Sequence, residues 1–506
     1  MLKKSLLTCA IAMALGYGNA ALAAEQTSKN TQSAIQSDFM VGAQHNRAEI
    51  TQNSSGGSAV GNEINLTQGG ETNGAQLSVT GDANRLTSEQ TGNRNLQLTE
   101  VNGLDNQISN YQSGNDAKTQ LAVTGDANMV SLSQTGNAGL GEIANEVKIK
   151  AQGDANSINI NQGSGGHWAY INDLQGHNNE ITIEQDGEWN EARIVEAVGD
   201  GNEFEVEQTG FWNIADINEL TGNDNTLKVK QDGDQNNFQV DLLNGDDNRL
   251  STEQYGNNSA IAFAVVEGED NNLIVQQRGD DNSFTSGLIV GSDNHLNGQQ
   301  SGNENTLEVD MVGNDNSFTS LQMGSLNTAY MGVIGDDNQF TNTQLGDGNE
   351  SHLANFNGSD NVFSIGQVGD ANHAMIQTSH PDTSLATSSN DIALNQIGNE
   401  NDTSVTLSSE TSSQNNTLDL VQEGNLNAID LMLEGSNNSI DIAQTGDMNM
   451  VVGVDQGAFV VAGNDLSLNI TQTGTGNLVE GGMSQLNGDV SVTQIGDYNT
   501  TTIVQQ

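Results

Sequence analysis

Residues 202–236 read Asn202-"EFEVE"-Gln208-"TGFW"-Asn213-"IADINELTGND"-Asn225-"TLKVK"-Gln231-"DGDQ"-Asn236. Within this stretch one pattern occurs twice, N-x-h-x-h-x-Q-x-G-x-x-N with h apolar, and it recurs from about residue 46 to the C-terminus at roughly 22 or 23 residues. The apolar positions lie two apart with polar residues between them: Phe204 and Val206, Leu227 and Val229, Ile181 and Ile183, Leu418 and Leu420, Ile440 and Ile442. Period two means β-strand, and no helical period fits over a comparable span. A second, looser half follows each motif and also ends in G-x-x-N, as in Gly199-"DG"-Asn202, Gly222-"ND"-Asn225, Gly245-"DD"-Asn248 and Gly435-"SN"-Asn438. One repeat is therefore strand, turn, strand, turn, with Gly and Asn expected to supply the positive φ of the reversals.

The solution for such a unit is one rung of an all-β solenoid, each rung pairing with the next at ~4.8 Å. About twenty rungs would make a rod on the order of 95 Å long. Strand parity places the leading Asn, both apolar residues and the Gln on one inward face. The expected self-assembly ladder comprises Asn179, Gln185, Gly187 and Asn190; Asn202, Gln208, Gly210 and Asn213; Asn225, Gln231, Gly233 and Asn236; Asn271, Gln277, Gly279 and Asn282; Asn338, Gln344, Gly346 and Asn349; and Asn438, Gln444, Gly446 and Asn449. Amides stacked at identical positions can bond along the array, satisfying groups that cost several kcal/mol when buried alone. The second strand contributes Leu77 and Val79, Phe238, Val240 and Leu242, Leu307, Val309 and Met311, and Ile429, Leu431 and Leu433. On the outward face, Glu205 and Glu207 precede Lys228 and Lys230 by one repeat, setting opposite charges on adjacent strands or simply forming a solvated face.

Composition agrees with a repeat protein. The 506 residues include 58 Gly, 1 Pro and 4% aromatic residues, too few large side chains for conventional globular cores. With 14 Lys+Arg against 66 Asp+Glu the formal charge is −52, which excludes nucleic acid and acidic lipid as partners of choice. Low hydrophobicity and high charge usually mean disorder, but disordered chains are commonly Pro-rich and aperiodic.

Residues 1–23 have the form of a secretory signal: Lys3 and Lys4, an apolar run from Leu6 to Leu15, and Ala21-Leu22-Ala23 before the cut. The single cysteine, Cys9, lies inside it, so disulfides and thiolate metal sites are not expected in the exported chain. Residues 24–45 lack the motif and read as a flexible leader or a cap, with the repeat solenoid over 46–506. Extra residues near 136–144, 379–389 (with the lone Pro381), 402–413 and 453–463 read as loops bulging from turns without breaking the stack.

These residues carry a likeness. The pattern S-x5-Q-x-G-x-x-N-x-A-x3-Q is the curlin repeat, and this chain resembles the curlins, amyloid subunits of bacterial curli fibres, over nearly all its length, with about eighteen Q-x-G matches in phase. Asn replaces the leading Ser at Asn62, Asn84, Asn106, Asn128 and Asn202; N-x-A persists at Asn190-Glu191-Ala192, Asn213-Ile214-Ala215, Asn327-Thr328-Ala329 and Asn372-His373-Ala374. The segment Val490–Gln506, "VSVTQIGDYNTTTIVQQ", resembles a closing curlin repeat. The resemblance implies a secreted structural subunit of cell-surface fibres serving adhesion and biofilm matrix, exported by the Sec route. It implies a homopolymer and, as partners, a curli-type outer-membrane secretion pore, a nucleator and periplasmic chaperones. The chain departs from the family in having several times more repeats, a Ser/Gln/Asn leader in place of a Gly-rich one, and acidic turns such as Asp246-Asp247, Asp280-Asp281 and Asp336-Asp337, where copies repel.

The alternatives are a non-polymerising solenoid adhesin, an ice-binding rod and a calcium-binding protein. Outward positions lack a flat Thr array, and the G-G-x-G-x-D nonapeptides of calcium rolls are absent. No catalytic residue, cofactor or metal site is read: His167, His177, His295 and His373 occupy unrelated repeat positions and read as surface residues. Trp168, Trp189 and Trp212 recur near turns of consecutive repeats, either part-buried under neighbouring turns or forming an aromatic strip for glycan or dye contact.

Overall fold

A computed structural model of the chain describes residues 45–54, 61–137, 144–378, 385, 387–484 and 488–505. The expected signal peptide (1–23), nearly all of the leader (24–45) and most of the expected insertions at 136–144 and 379–389 lie outside the described residues. The chain divides into two compact units, Met1–Asp270 and Asn271–Gln506. Each is a parallel β-solenoid, together making about 19 turns. Among the described residues no helix is long and apolar enough to cross a membrane.

In both units the strands alternate along the chain between two parallel sheets. The first sheet holds the Asn-to-Gln strands, running from Glu63–Gly69 to Arg249–Tyr255 in the first unit and from Asn272–Arg278 to Asp489–Ile495 in the second. The second sheet holds the looser halves, such as Gly74–Thr80 and Leu96–Asn102, or Thr306–Val312 and Thr328–Ile334. Identical motif positions pair across rungs: Phe204 with Leu227, Val206 with Val229 and Gln208 with Gln231. The strand from Glu203 to Phe211 alternates buried and solvent-facing residues, as period two demands.

Inward residues of the two sheets share one interior. In the first unit the Gln112 side chain of the first sheet donates to Thr119 of the second at 3.2 Å. In the second unit Phe340 and Phe363 of the first sheet meet Phe356 of the second, with centroids 5.6 and 5.4 Å apart from it. Outward, Lys228 meets Glu205 at 3.0 Å and Glu203 at 2.8 Å, and Lys230 meets Glu207 at 2.7 Å. The one-repeat charge match is therefore real, though exposed pairs of this kind stabilise by a few tenths of a kcal/mol at most.

Three details differ from the sequence reading. The positive φ of the G-x-x-N turns falls on the residue before Asn and, in most of them, on Gly: Gly222 (φ 125) and Asp224 (φ 54), Gly313 (φ 137) and Asp315 (φ 56). Asn is left free to use its side chain. Second, the inward residue after Val240 is Leu243, fully buried, and not Leu242, which sits at φ 136. The second-sheet strand breaks there into Asn237–Val240 and Leu243–Asn244, a bulge that absorbs the additional residue of the longer repeats. Between the neighbouring strands Ser283–Ser286, Ile289–Val290 and Thr306–Val312 the register changes the same way, from Phe284 opposite Leu307 to Ile289 opposite Met311.

Third, the additional residues at 453–463 leave the middle of a strand, not a turn. Met450–Val452 and Phe459–Ala462 both pair with Ala428–Glu434, and a short 3-10 turn, Val454–Gln456, loops out between them. At 402–413, Asp402–Leu407 is a regular strand and the surplus is confined to the residues after it.

Where glycine stacks on glycine at positive φ, the turns leave no room for a side chain. A Cβ on Gly222 would stand 2.0 Å from the Gly245 carbonyl oxygen. Gly222→Ala should therefore cost about 1–3 kcal/mol in urea unfolding followed by circular dichroism. Asp224→Gly, at the neighbouring positive φ, should stay within about 1 kcal/mol of wild type.

Candidate functional site

The motif residues meet as three ladders. The glutamine ladder begins in the first unit with Gln68 donating from Nε2 to Gln90 Oε1 at 2.8 Å. It includes Gln185 to Gln208, Gln208 to Gln231 and Gln231 to Gln254, each at 2.9 Å. In the second unit it runs from Gln277 to Gln300 and from Gln344 to Gln367 at 2.9 Å, from Gln444 to Gln472 at 2.8 Å, and ends with Gln472 to Gln494 at 2.9 Å. The same Nε2 also donates to backbone carbonyls of the second sheet, as Gln208 does to Glu191 at 3.0 Å, tying the two sheets together at the turn.

Two asparagine ladders flank it. In the first, Asn202 donates from Nδ2 to Asn179 Oδ1 and Asn225 to Asn202 Oδ1, both at 3.1 Å. Each Asn also donates forward to a turn glycine carbonyl, Asn225 to Gly245 at 2.9 Å, and each Oδ1 accepts the backbone N–H of the next Asn. Asn294 on Asn271 and Asn361 on Asn338 repeat this geometry in the second unit. The second ladder runs through Asn190, Asn213 and Asn236, then Asn282 to Asn305, Asn349 to Asn372 and Asn449 to Asn477.

The predicted Asn and Gln positions are all buried and stand in these ladders. The predicted glycines line the turns beside them; a Cβ on Gly187 or Gly210 would come within 2.1 Å of the next turn's carbonyl. At Asn438 the first asparagine ladder changes character, because the next rung presents Leu466, whose backbone N–H still bonds Asn438 Oδ1 at 2.9 Å.

Sequence reasoning missed two kinds of member. His167 is not a surface residue: it is fully buried at an asparagine position, donates its backbone N–H to Asn145 Oδ1 at 3.0 Å, and accepts the Asn190 N–H on Nδ1 at 3.2 Å. The signal was available, since His167 stands where the turn motif calls for Asn after Gln162-"GSGG". Its Nε2 has no partner among the described residues, and burial pushes the imidazole down to about 4.

The second kind is acidic. The first residue inside a G-x-x-N turn accepts the backbone N–H of the preceding turn through its side chain: Asn223 to Asp246 and Asn314 to Asp336 at 2.8 Å, Ser325 to Asp347 at 2.7 Å, Asp347 to Asp370 at 2.9 Å. Carboxylates at these turns thus bind the neighbouring rung even as their charges repel.

Parallel strand-turn-strand rungs, closed by turns that mostly stack glycine on glycine and held inside by amides bonded to their own copies, define a self-stacking β-solenoid of structural type. The profile of the curlin associated repeat matches residues 153–187, 176–210, 199–233 and 414–446, so these stretches carry curlin repeats. No curated protein matches it.

Two measurements probe the ladders. Gln208→Leu leaves Gln231 Oε1 without its ladder donor, while Gln185 Nε2 keeps its bonds to Trp168 and Asn190, and should lower stability by about 1–3 kcal/mol in urea unfolding. For His167, the folded state holds the neutral form and the unfolded chain takes up the proton first. Stability is therefore complete above the ordinary 6.5 and falls as pH drops from 6.5 towards about 4, by roughly 3 kcal/mol in all. His167→Asn should abolish that part of the pH dependence, read as the difference in unfolding free energy between variant and wild type across the window.

Proposed function

We propose that the chain is a secreted subunit that polymerises, rung on rung, into extracellular curli-like amyloid fibres serving cell adhesion and biofilm matrix. The observation that carries this reading is the polarity of the ladders together with the strands at the outermost described rungs. Every ladder glutamine donates toward the C-terminal side, and every ladder Asn Oδ1 accepts from that side. A C-terminal rung therefore offers Gln494 Nε2 and Asn499 Oδ1, and an N-terminal rung offers Gln68 Oε1 and the Asn46 backbone N–H. Two copies joined in that sense place Asn499 beside Asn46 and the strand Thr500–Gln505 against Arg47–Asn53, in the register that the interior uses. Arg47–Asn53 is exposed along its whole length, and Ile495, Tyr498 and Val504 are exposed at the other terminus. Such edges template further strands.

The ladder residues named above serve, in this reading, as the contacts of growth as well as of folding. Curlin repeats support self-assembly, and export through a curli-type pore with a nucleator and periplasmic chaperones belongs to the same reading. The charge of −52 makes growth conditional on screening, so fibres form faster as ionic strength rises.

Purified chain freed of its signal segment should give thioflavin-positive fibres with a ~4.7 Å meridional reflection, after a lag that shortens with added salt. Val492→Lys, an inward-pointing charge on the last first-sheet strand, should stop elongation and leave the circular dichroism of the monomer unchanged. Persistence as a monomer through long incubation across salt and pH would overturn the reading in favour of a non-polymerising adhesin.

A further inference from the structure

The described surface of the first unit is acidic and almost free of large rings, with one exception. Trp168, Trp189, Phe211 and Trp212 gather at one turn edge, where the second sheet begins. Trp168 and Trp189 have centroids 6.5 Å apart at 76°, Trp189 and Trp212 6.1 Å apart at 61°, and Trp189 and Phe211 6.1 Å apart at 31°. Phe211 and Trp212 are each more than a third exposed, and Trp168 and Trp189 are partly so.

Folding does not account for this strip. Trp189 (φ 65) and Trp212 (φ 59) occupy the left-handed turn position that Asp116, Gln235 and Asn258 fill in other turns of the same edge. A bulky ring is disfavoured there, and exposure leaves the strain uncompensated by burial. The preceding turn carries Gly165 and Gly166 at its two middle positions, so no side chain there competes for the space beside Trp189.

The rim narrows the choice of ligand. Asp186 accepts Ser164 Oγ at 3.2 Å and the Gly187 N–H at 2.9 Å, and Asp234 accepts the Phe211 N–H at 2.9 Å. These carboxylates are engaged by the turns, and Glu188, exposed beside Trp189, adds a further acceptor to the rim. Their charge, added to that of the chain, repels anionic polymers and acidic lipid. What remains accessible is aromatic surface with hydrogen-bond acceptors at its edge, on consecutive rungs. This suits pyranose rings, whose C–H faces pack on indole while equatorial hydroxyls donate outward.

We propose that Trp168, Trp189, Phe211 and Trp212 form a docking strip for a neutral, extended, β-linked polysaccharide. The chain has 3 Trp, all of them in the strip, so its tryptophan emission reports on this site alone. Titrating the soluble full chain at low ionic strength with a β-1,4-linked glucose hexamer should shift that emission saturably. The double variant Trp189→Asp/Trp212→Asp installs the residue that other turns carry. It should bind insoluble β-1,4-glucan at least tenfold more weakly, with unchanged circular dichroism and thermal midpoint. An unmoved emission, or equal retention of the double variant on the glucan, would overturn the proposal. So would an emission shift produced by oligolysine and not by the hexamer, which would assign the strip to basic peptides.

Discussion

A glutamine amide buried between two sheets has few places to send its hydrogens, and here the nearest acceptor beyond the backbone is the same amide one rung away. Left alone, such a group costs more than the hydrophobic contacts beside it return. Bonded in series, it makes each rung the condition of its neighbour's stability. Parallel orientation follows, because only parallel copies bring Gln opposite Gln. Register follows as well, since a slip of one residue would turn Gln208, Val206 and Phe204 outward together. The modest apolar content of the chain becomes sufficient once polar groups that would oppose burial are converted into its guide.

The ladders constrain positions in space and leave the path between them free. First-sheet strands are pinned at both ends, by Asn202 and Gln208 for example, and no surplus residue enters between them. Second-sheet strands are pinned by Asn at their start and lack the glutamine. The bulge at Asp241 and Leu242 and the loop after Val452 both lie in that sheet. Longer insertions leave the glutamine ladder intact: Gln134 bonds Gln162 at 3.0 Å across one, and Gln367 bonds Gln396 at 2.9 Å across another. Variation in repeat length is therefore concentrated where no buried amide forbids it.

This division explains what was legible in the sequence. The alternation of Phe204 and Val206 with acidic neighbours gives strand, face and stacking partner at once, because a period of two is a property of every strand. The match of Glu205 and Glu207 to Lys228 and Lys230 is legible for the same reason. Leu242 was misread because its parity is right and only a local bulge shifts the inward position to Leu243. The Asn residues of the turns were credited with positive φ because Asn tolerates it, but the neighbouring rung takes their amides and hands the left-handed position to the preceding residue. His167 escaped notice since its role depends on the position it fills, not on the chemistry usually expected of histidine.

The acidic load also looks different once the turns are resolved. Carboxylates such as Asp246 and Asp336 repel their copies through space and at the same time accept a backbone N–H from the preceding rung. Protonation would relieve the first effect and weaken the second, since a neutral carboxyl is the poorer acceptor. Mobile salt screens the repulsion and leaves the hydrogen bonds in place. Burial also raises the carboxyls of Glu308, Asp310 and Asp430 on the outward face of the second sheet above their ordinary values, which favours their neutral forms. Ionic strength and acidity are thus unequal ways of bringing such surfaces together, and the turns favour the first.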